Sequence, residues 1–189
     1  MDSALIVSGT EKSIAQLTEM LLPGSFIRVA SASTAGEARR ALASADYDLY
    51  IINSPLSDES GEELAFSLSE RLSGEVILIV RAERFDEVSD KASERGVITA
   101  SKPINRAAFW GAVRMANASH NRFNMIRREN MKLQQKIEDI KIIDRAKLVL
   151  ISRLSMTEPE AHKYIEKQAM DMRVTRRAVA DGILKTHEY

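Results

Sequence analysis

Cysteine is absent from the 189 residues, which excludes a disulfide framework, a thiolate metal site and a cysteine nucleophile, and fits a reducing, cytoplasmic setting. Long apolar runs are absent too. The longest, Val76-Ile77-Leu78-Ile79-Val80, falls far below the roughly 18 residues of a membrane span, and no basic-then-apolar leader opens the chain, so no membrane or export role is expected. The three histidines, His120, His162 and His187, lack paired spacing and clustered carboxylates, and nothing resembles a catalytic triad or a pair of catalytic acids. No metal, other cofactor or enzyme activity is therefore expected. Gly9-Thr10-Glu11-Lys12-Ser13 lacks the glycine before lysine that a phosphate-cradling loop requires.

Net charge is zero, 27 basic against 27 acidic residues, and 44% of the chain is apolar, the balance of an ordinary folded protein. The zero hides an asymmetry. Residues 1–120 hold 12 Lys/Arg and 17 Asp/Glu, and the remaining 69 hold 15 and 10. A basic tail behind an acidic body points to an anionic partner for the tail.

Five short apolar runs, Ala4–Val7, Phe26–Ala30, Leu49–Ile52, Val76–Val80 and Val97–Ala100, read as strands. Between and after them, residues 11–22, 34–43, 61–72, 85–95 and 105–118 repeat apolar side chains every three or four positions, the helical period. Continuous Ile/Val runs separated by helices imply strands buried on both faces, hence a doubly wound five-stranded parallel sheet with right-handed crossovers. An α/β first half is thus expected to precede an all-α remainder.

Five such units ending in Ser101-Lys102-Pro103 resemble the receiver domain of bacterial response regulators, over residues 1–118. In that family the lysine reaches a phosphoryl group carried by an aspartate beside a magnesium ion, at the carboxyl ends of the strands. Here the positions that would hold the two metal-binding acids read Ser8-Gly9, the acceptor position reads Asn53, and the Ser/Thr position after the fourth strand aligns with Val80. Mg²⁺ prefers hard carboxylate oxygens and an aspartyl phosphate needs an aspartate, so Ser8, Gly9, Asn53, Val80 and Lys102 form a degenerate phosphoacceptor pocket, a pseudoreceiver. Lys102 is expected to be solvated or paired at a strand end; an anion site built on Lys102 with Ser8 and Asn53 is the weaker alternative.

From Ala116 to Arg153 neither proline nor glycine occurs, and one long helix is expected. Ala116, Ser119, Phe123, Ile126, Asn130, Leu133, Ile137 and Ile140 alternate spacings of three and four, a heptad seam with Asn130 at a register-fixing position. A coiled coil over residues 119–140 and a homodimer through Phe123, Ile126, Asn130, Leu133, Ile137 and Ile140 follow. In a parallel pair Arg122 would oppose Arg127 and Lys136 would oppose Lys141, so an antiparallel pair stays open.

Thr157-Glu158-Pro159-Glu160 is a capping box with proline in the first turn, and a third helix begins near Thr175, giving a three-helix bundle with the end of the long helix. Ile143-Asp144-Arg145-Ala146-Lys147, with Leu150, Ala161, Tyr164, Ala169-Met170-Asp171, Arg173, Val179-Ala180 and Ile183-Leu184, resembles the ANTAR domain, over residues 128–189 sharing the long helix. Leu148 and Arg176 depart from the family pattern, which often has glycine and an apolar residue there. The resemblance implies a transcription antitermination regulator. Usually as a dimer, it binds tandem stem-loops in a nascent leader transcript and prevents a terminator hairpin from forming. Cations and helix N-termini suit RNA phosphates, so Arg173, Arg176 and Arg177 are the leading contacts, then Lys147 and Arg145, with Thr175 beside them. Tyr164 is read as a core tyrosine, Asp144 as structural, Lys163 and Lys167 as a solvated face. Two other readings stand beside this one: a signalling adaptor whose tail docks a protein, and a DNA-binding response regulator. An upstream protein partner is one candidate for the switch.

Overall fold

The computed structural model describes every residue except Ser25, Leu72, Ser73, Glu188 and Tyr189, and every other side chain except those of Arg71 and His187. The chain divides into two compact units, residues 1–124 and 125–189.

In the first unit the elements alternate as β1 (Ser3–Ser8), α1 (Glu11–Leu21), β2 (Arg28–Ala32), α2 (Ala35–Leu42), β3 (Leu49–Asn53), α3 (Glu62–Arg71), β4 (Glu75–Arg81), α4 (Phe85–Ser93) and β5 (Ile98–Lys102), and α5 (Arg106–Leu154) then begins. The five strands are parallel in the order β2-β1-β3-β4-β5. Successive side chains of a strand point to opposite faces. Leu5, Val7, Tyr50, Ile52, Val76, Leu78 and Val80 therefore meet Ala38, Leu64, Leu68 and Val88 of α2, α3 and α4. Ala4, Ile6, Leu49, Ile51, Ile77 and Ile79 meet Leu17 and Leu21 of α1 and Phe109, Val113 and Ala116 of α5. This is the expected doubly wound sheet.

Several boundaries differ from those expected. The second strand lies two residues later than expected, because Phe26 packs beside Trp110 under α1 and α5 while Ile27 stands 85% exposed. The amides of Ile27 and Arg28 both donate to the Asp2 carbonyl, at 2.7 and 3.1 Å, and pairing along β1 starts only at Arg28 opposite Ser3. The helices expected at residues 105–118 and 116–153 are one helix, α5, with no cap or proline between them to end the first. Leu72, the expected end of the third helix, lies outside the described residues.

Asp48 anchors the amino end of the sheet. Its Oδ2 accepts from the backbone amides of Asp2 and Ser3, at 2.7 and 3.0 Å, and from Ser3 Oγ at 3.1 Å. Burial pushes its carboxyl up, but those three donors outweigh it and hold it below its ordinary value of 3.8. A lowered acid stabilises the folded chain above its unfolded value and loses that contribution as pH falls through the folded one. Asp48→Ala is expected to cost about 1–2 kcal/mol in urea unfolding at neutral pH. The gap between variant and native chain should begin to narrow as acidification passes below the ordinary carboxylate value and close once the native carboxyl, held lower still, takes up its proton.

Candidate nucleic-acid interface and strand-end cleft

The second unit is built on small side chains. Ala146 and Leu150 near the end of α5, Ala161, Ile165 and Ala169 of α6 (Glu158–Met172), and Val179, Ala180 and Leu184 of α7 (Arg176–His187) form one buried cluster. Alanines at the contact let the helix axes approach closely. The start of α6 is fixed by Glu160, whose Oε2 accepts from both the amide and the hydroxyl of Thr157 at 2.8 Å. Those donors hold Glu160 below its ordinary value. Arg173 ends α6 in the left-handed conformation, φ 55°, and its amide donates back to Met170.

The expected RNA-contacting residues fall into two groups. Lys147 lies between Asp144 at 2.9 Å and Glu158 at 3.0 Å with its side chain 16% exposed, so it ties α5 to the first turn of α6. Hydrogen bonds to Asp144 and Glu158 raise its pKa. Arg177 donates to Asp139 at 2.6 Å, lies 3.6 Å from Asp181, and joins the start of α7 to α5. Asp139 is lowered by that arginine and by Gln135, which donates to it at 2.8 Å. Thr175 caps α7, its Oγ1 accepting from the Ala178 amide at 3.2 Å. Arg176 is exposed and pairs with Glu166 at 3.1 Å. Sequence spacing marked these cations without their acids, because Asp139, Glu158 and Glu166 lie on other helices.

The Arg173 side chain, by contrast, is exposed and has no hydrogen bond or ion pair among the described residues, and the same holds for the side chains of Lys163 and Lys167 on the outer face of α6. Arg145 is exposed on α5. Tyr164 corrects the reading of a core tyrosine: the inward positions are taken by Ala161 and Ile165, and Tyr164 is 39% exposed between Lys163 and Lys167. Leu148, one of the two departures from the family pattern, is 64% exposed and outside the packing.

At the carboxyl ends of the strands, alternation sets a second group in a row. Two residues beyond the buried Ile6, Ile51, Ile79 and Ala100 come Ser8, Asn53, Arg81 and Lys102, on the face that carries α1 and α5. Asn53 Nδ2 donates to Ser8 Oγ at 2.9 Å. Lys102 Nζ donates to the Ser54 carbonyl, and burial, together with the neighbouring Arg81, pushes its pKa down. Val80 does not belong to this row. β4 runs one residue further than expected, to Arg81, so Val80 turns its side chain into the opposite core and Arg81 stands opposite Lys102. A Cβ on Gly9 would come within 3.3 Å of the Ser57 amide nitrogen, so a larger side chain there needs that loop to give by a small amount. One amide, one hydroxyl and two cations do not fit a magnesium ion, which needs oxygen anions.

Along α5 the heptad positions differ in exposure. Ala116 is fully buried in the first unit, whereas Phe123, Ile126, Leu133, Ile137 and Ile140 are each about half exposed, and Asn130 is exposed.

Residues 131–184 match the ANTAR domain family. Over 172 residues the chain is 28% identical to the transcriptional regulatory protein PdtaR of Mycobacterium tuberculosis, covering 90% of this chain and 83% of that protein. Among solved structures, the signal receiver domain of an HD domain-containing protein from Pseudomonas fluorescens Pf-5 superposes with a TM-score of 0.57 at 24% identity, covering 66% of this chain and 92% of that one. A CheY-like response regulator receiver domain from Methanospirillum hungatei JF-1 gives 0.55 at 19% identity, covering 65% and 98%. The likeness to these structures, at low identity, concerns the fold. No helix among the described residues is long and apolar enough to cross a membrane. The match places an ANTAR domain over residues 131–184, and the sheet order gives residues 1–124 the receiver fold.

Proposed function

We propose that the protein regulates transcription by antitermination, binding paired stem-loops of a nascent leader RNA through the bundle and preventing formation of a terminator, without phosphorylation of its receiver-fold domain. The observation that carries this reading is the ANTAR match over residues 131–184, on a bundle whose α6 and following turn hold unpaired cations. Lys163 and Lys167 flank the half-exposed Tyr164, and Arg173 follows at the end of the helix. Phosphates take the cations, and an unstacked loop base finds an aromatic face in Tyr164. Arg145 and Arg176 extend this surface, while Lys147, Thr175 and Arg177 hold the bundle in shape beneath it.

The reading includes a homodimer through the half-exposed stripe of α5, because paired hairpins call for two RNA-binding bundles. Apolar side chains repeating over residues 123–140 lose their contact with water when a second copy covers them. Leu133→Glu puts a charge into that seam and is expected to convert the dimer to monomer in analytical ultracentrifugation; an unchanged mass would exclude this seam.

The alternative, docking on a protein partner, is favoured by Met170, Met172 and Val174, which stand exposed at the turn between α6 and α7. The two separate by salt. In RNA binding, Arg173→Ala and Lys167→Ala each weaken affinity for a two-hairpin RNA and lower the slope of log K against log salt by about one. Arg177→Ala lowers the thermal midpoint of the RNA-free chain instead. Absence of RNA binding at low salt would favour the docking reading, and equal binding of duplex DNA would favour a DNA-binding regulator.

For the first domain, incubation with acetyl phosphate is expected to leave the denatured mass unchanged, since Asn53 offers an amide where a carboxylate nucleophile is needed. A stable added phosphate on residues 1–124 would overturn this part.

A further inference from the structure

The cleft at the carboxyl ends of the strands is an electrostatic inversion of a metal site. It measures about 520 Å³ and is lined by Ser13, Gln16, Asn53, Arg81, Lys102 and Pro103, among others. Glu83, exposed in the turn after β4, is the one carboxylate among its lining residues. Ser8, Gly9 and Thr10 border the adjoining end of the same cleft, where the hydroxyl-rich start of α1 meets Asn53 and Lys102.

Two cations side by side without a counter-charge repel one another, and the repulsion is larger where water is partly excluded. Arg81 and Lys102 are register partners on adjacent strands. Lys102 is half-buried, and among the described residues its ammonium donates only to a neutral backbone carbonyl, that of Ser54. The Arg81 side chain, which is exposed, has neither hydrogen bond nor ion pair among the described residues. The lowered pKa of Lys102 has burial and Arg81 as its causes, in that order. Elsewhere in this unit the arginines that face acids take them: Arg39 pairs with Glu59 and Arg84 with Glu62. A pair left uncompensated, in a cleft that also offers the Asn53 amide and the Ser13 hydroxyl, whose oxygen accepts from Thr10 and whose hydrogen is free to turn outward, has the donor set that a tetrahedral oxyanion requires.

We infer that this cleft binds a phosphate-type oxyanion reversibly, held between Arg81 and Lys102 with hydroxyl and amide donors beneath it. No bond to the protein forms and none breaks. Arg81 is the element that makes the site different from a pocket that has merely lost its aspartate, because it adds a second positive charge at a place where an alternating β4 points into the cleft. The ligand is inorganic phosphate or the phosphate group of a small monoester.

The test uses the full-length protein and inorganic phosphate at fixed ionic strength, with sodium chloride as the compensating salt. Calorimetric titration and the thermal midpoint are read together. A saturable heat and a midpoint that rises and levels off with phosphate are expected, since a ligand that binds only the folded chain stabilises it by mass action. Arg81→Gln, on an exposed side chain, should weaken binding about tenfold, the usual effect of one charge-assisted hydrogen bond. Asn53→Asp should also weaken it and raise the midpoint of the phosphate-free protein, because the new carboxylate supplies the missing counter-charge. Adding glucose 6-phosphate in a parallel arm separates the two ligand sources: competition with phosphate at comparable affinity identifies a monoester as acceptable, and no competition restricts the site to the free ion. Both outcomes keep the oxyanion site. A midpoint that rises linearly without levelling off, equally in the native protein, Arg81→Gln and Asn53→Asp, would overturn it, as that is what a salt excluded from the whole surface does. Reversible heat with an unchanged denatured mass also separates this inference from covalent phosphorylation, so either can fail alone.

Discussion

Side chains in a parallel sheet covered on both faces have no freedom of direction, and the first domain follows from that constraint. Ile6, Ile51, Ile79 and Ala100 are held under α1 and α5. Two residues further on, where the strands leave the core, the same alternation must deliver Ser8, Asn53, Arg81 and Lys102 to one cleft. Sliding one strand by a single residue would send each of its side chains into the opposite core, where the packing partners differ, and would turn its end residue away from the cleft; that penalty fixes the register. The cleft is thus a by-product of core packing, and its chemistry is whatever residues occupy those four ends. Here they are two neutral groups and two cations.

The second domain rests on a different economy of contacts. Its core is small, with four of its eight buried residues alanine, and the helices come together through Ala146, Ala161, Ala169 and Ala180. A core of that size gains little from area alone, so ion pairs between helices contribute to its shape: Lys147 to Glu158, Arg177 to Asp139, Arg176 to Glu166. Lys147 and Arg177 therefore serve packing first, while Arg176 meets Glu166 at the exposed surface. Lys163, Lys167 and Arg173, whose side chains have no partner among the described residues, stand on the outer side of α6 and at its end, open to solvent. Tyr164 shares that side because Ala161 and Ile165 fill the inner one.

Much of this was legible in the chain. Period two against period three to four distinguished strands from helices, the capping box at Thr157 located α6, and the Ile-Asp-Arg-Ala-Lys string marked the bundle. What was not legible came from two physical sources. Strand ends are set by pairing with the neighbour, so β4 continues through Arg81 although the apolar run stops at Val80, and β2 begins at Arg28 although the apolar run begins at Phe26. Ion pairs are set by which helix faces which, so a cluster of arginines in sequence separated in space into those that hold helices and those that face water.

The sequence by itself determined the order of elements, the buried faces and the loss of acids at Ser8, Gly9 and Asn53, since hydrophobic period and residue chemistry are local properties. Only the tertiary structure decided that Arg81 rather than Val80 joins Lys102 in the cleft, and that Tyr164 and Arg173 face outward while Lys147 and Arg177 are tied down. The reason is that register and ion pairing are agreements between segments distant in the chain, and no segment contains the other half of the agreement.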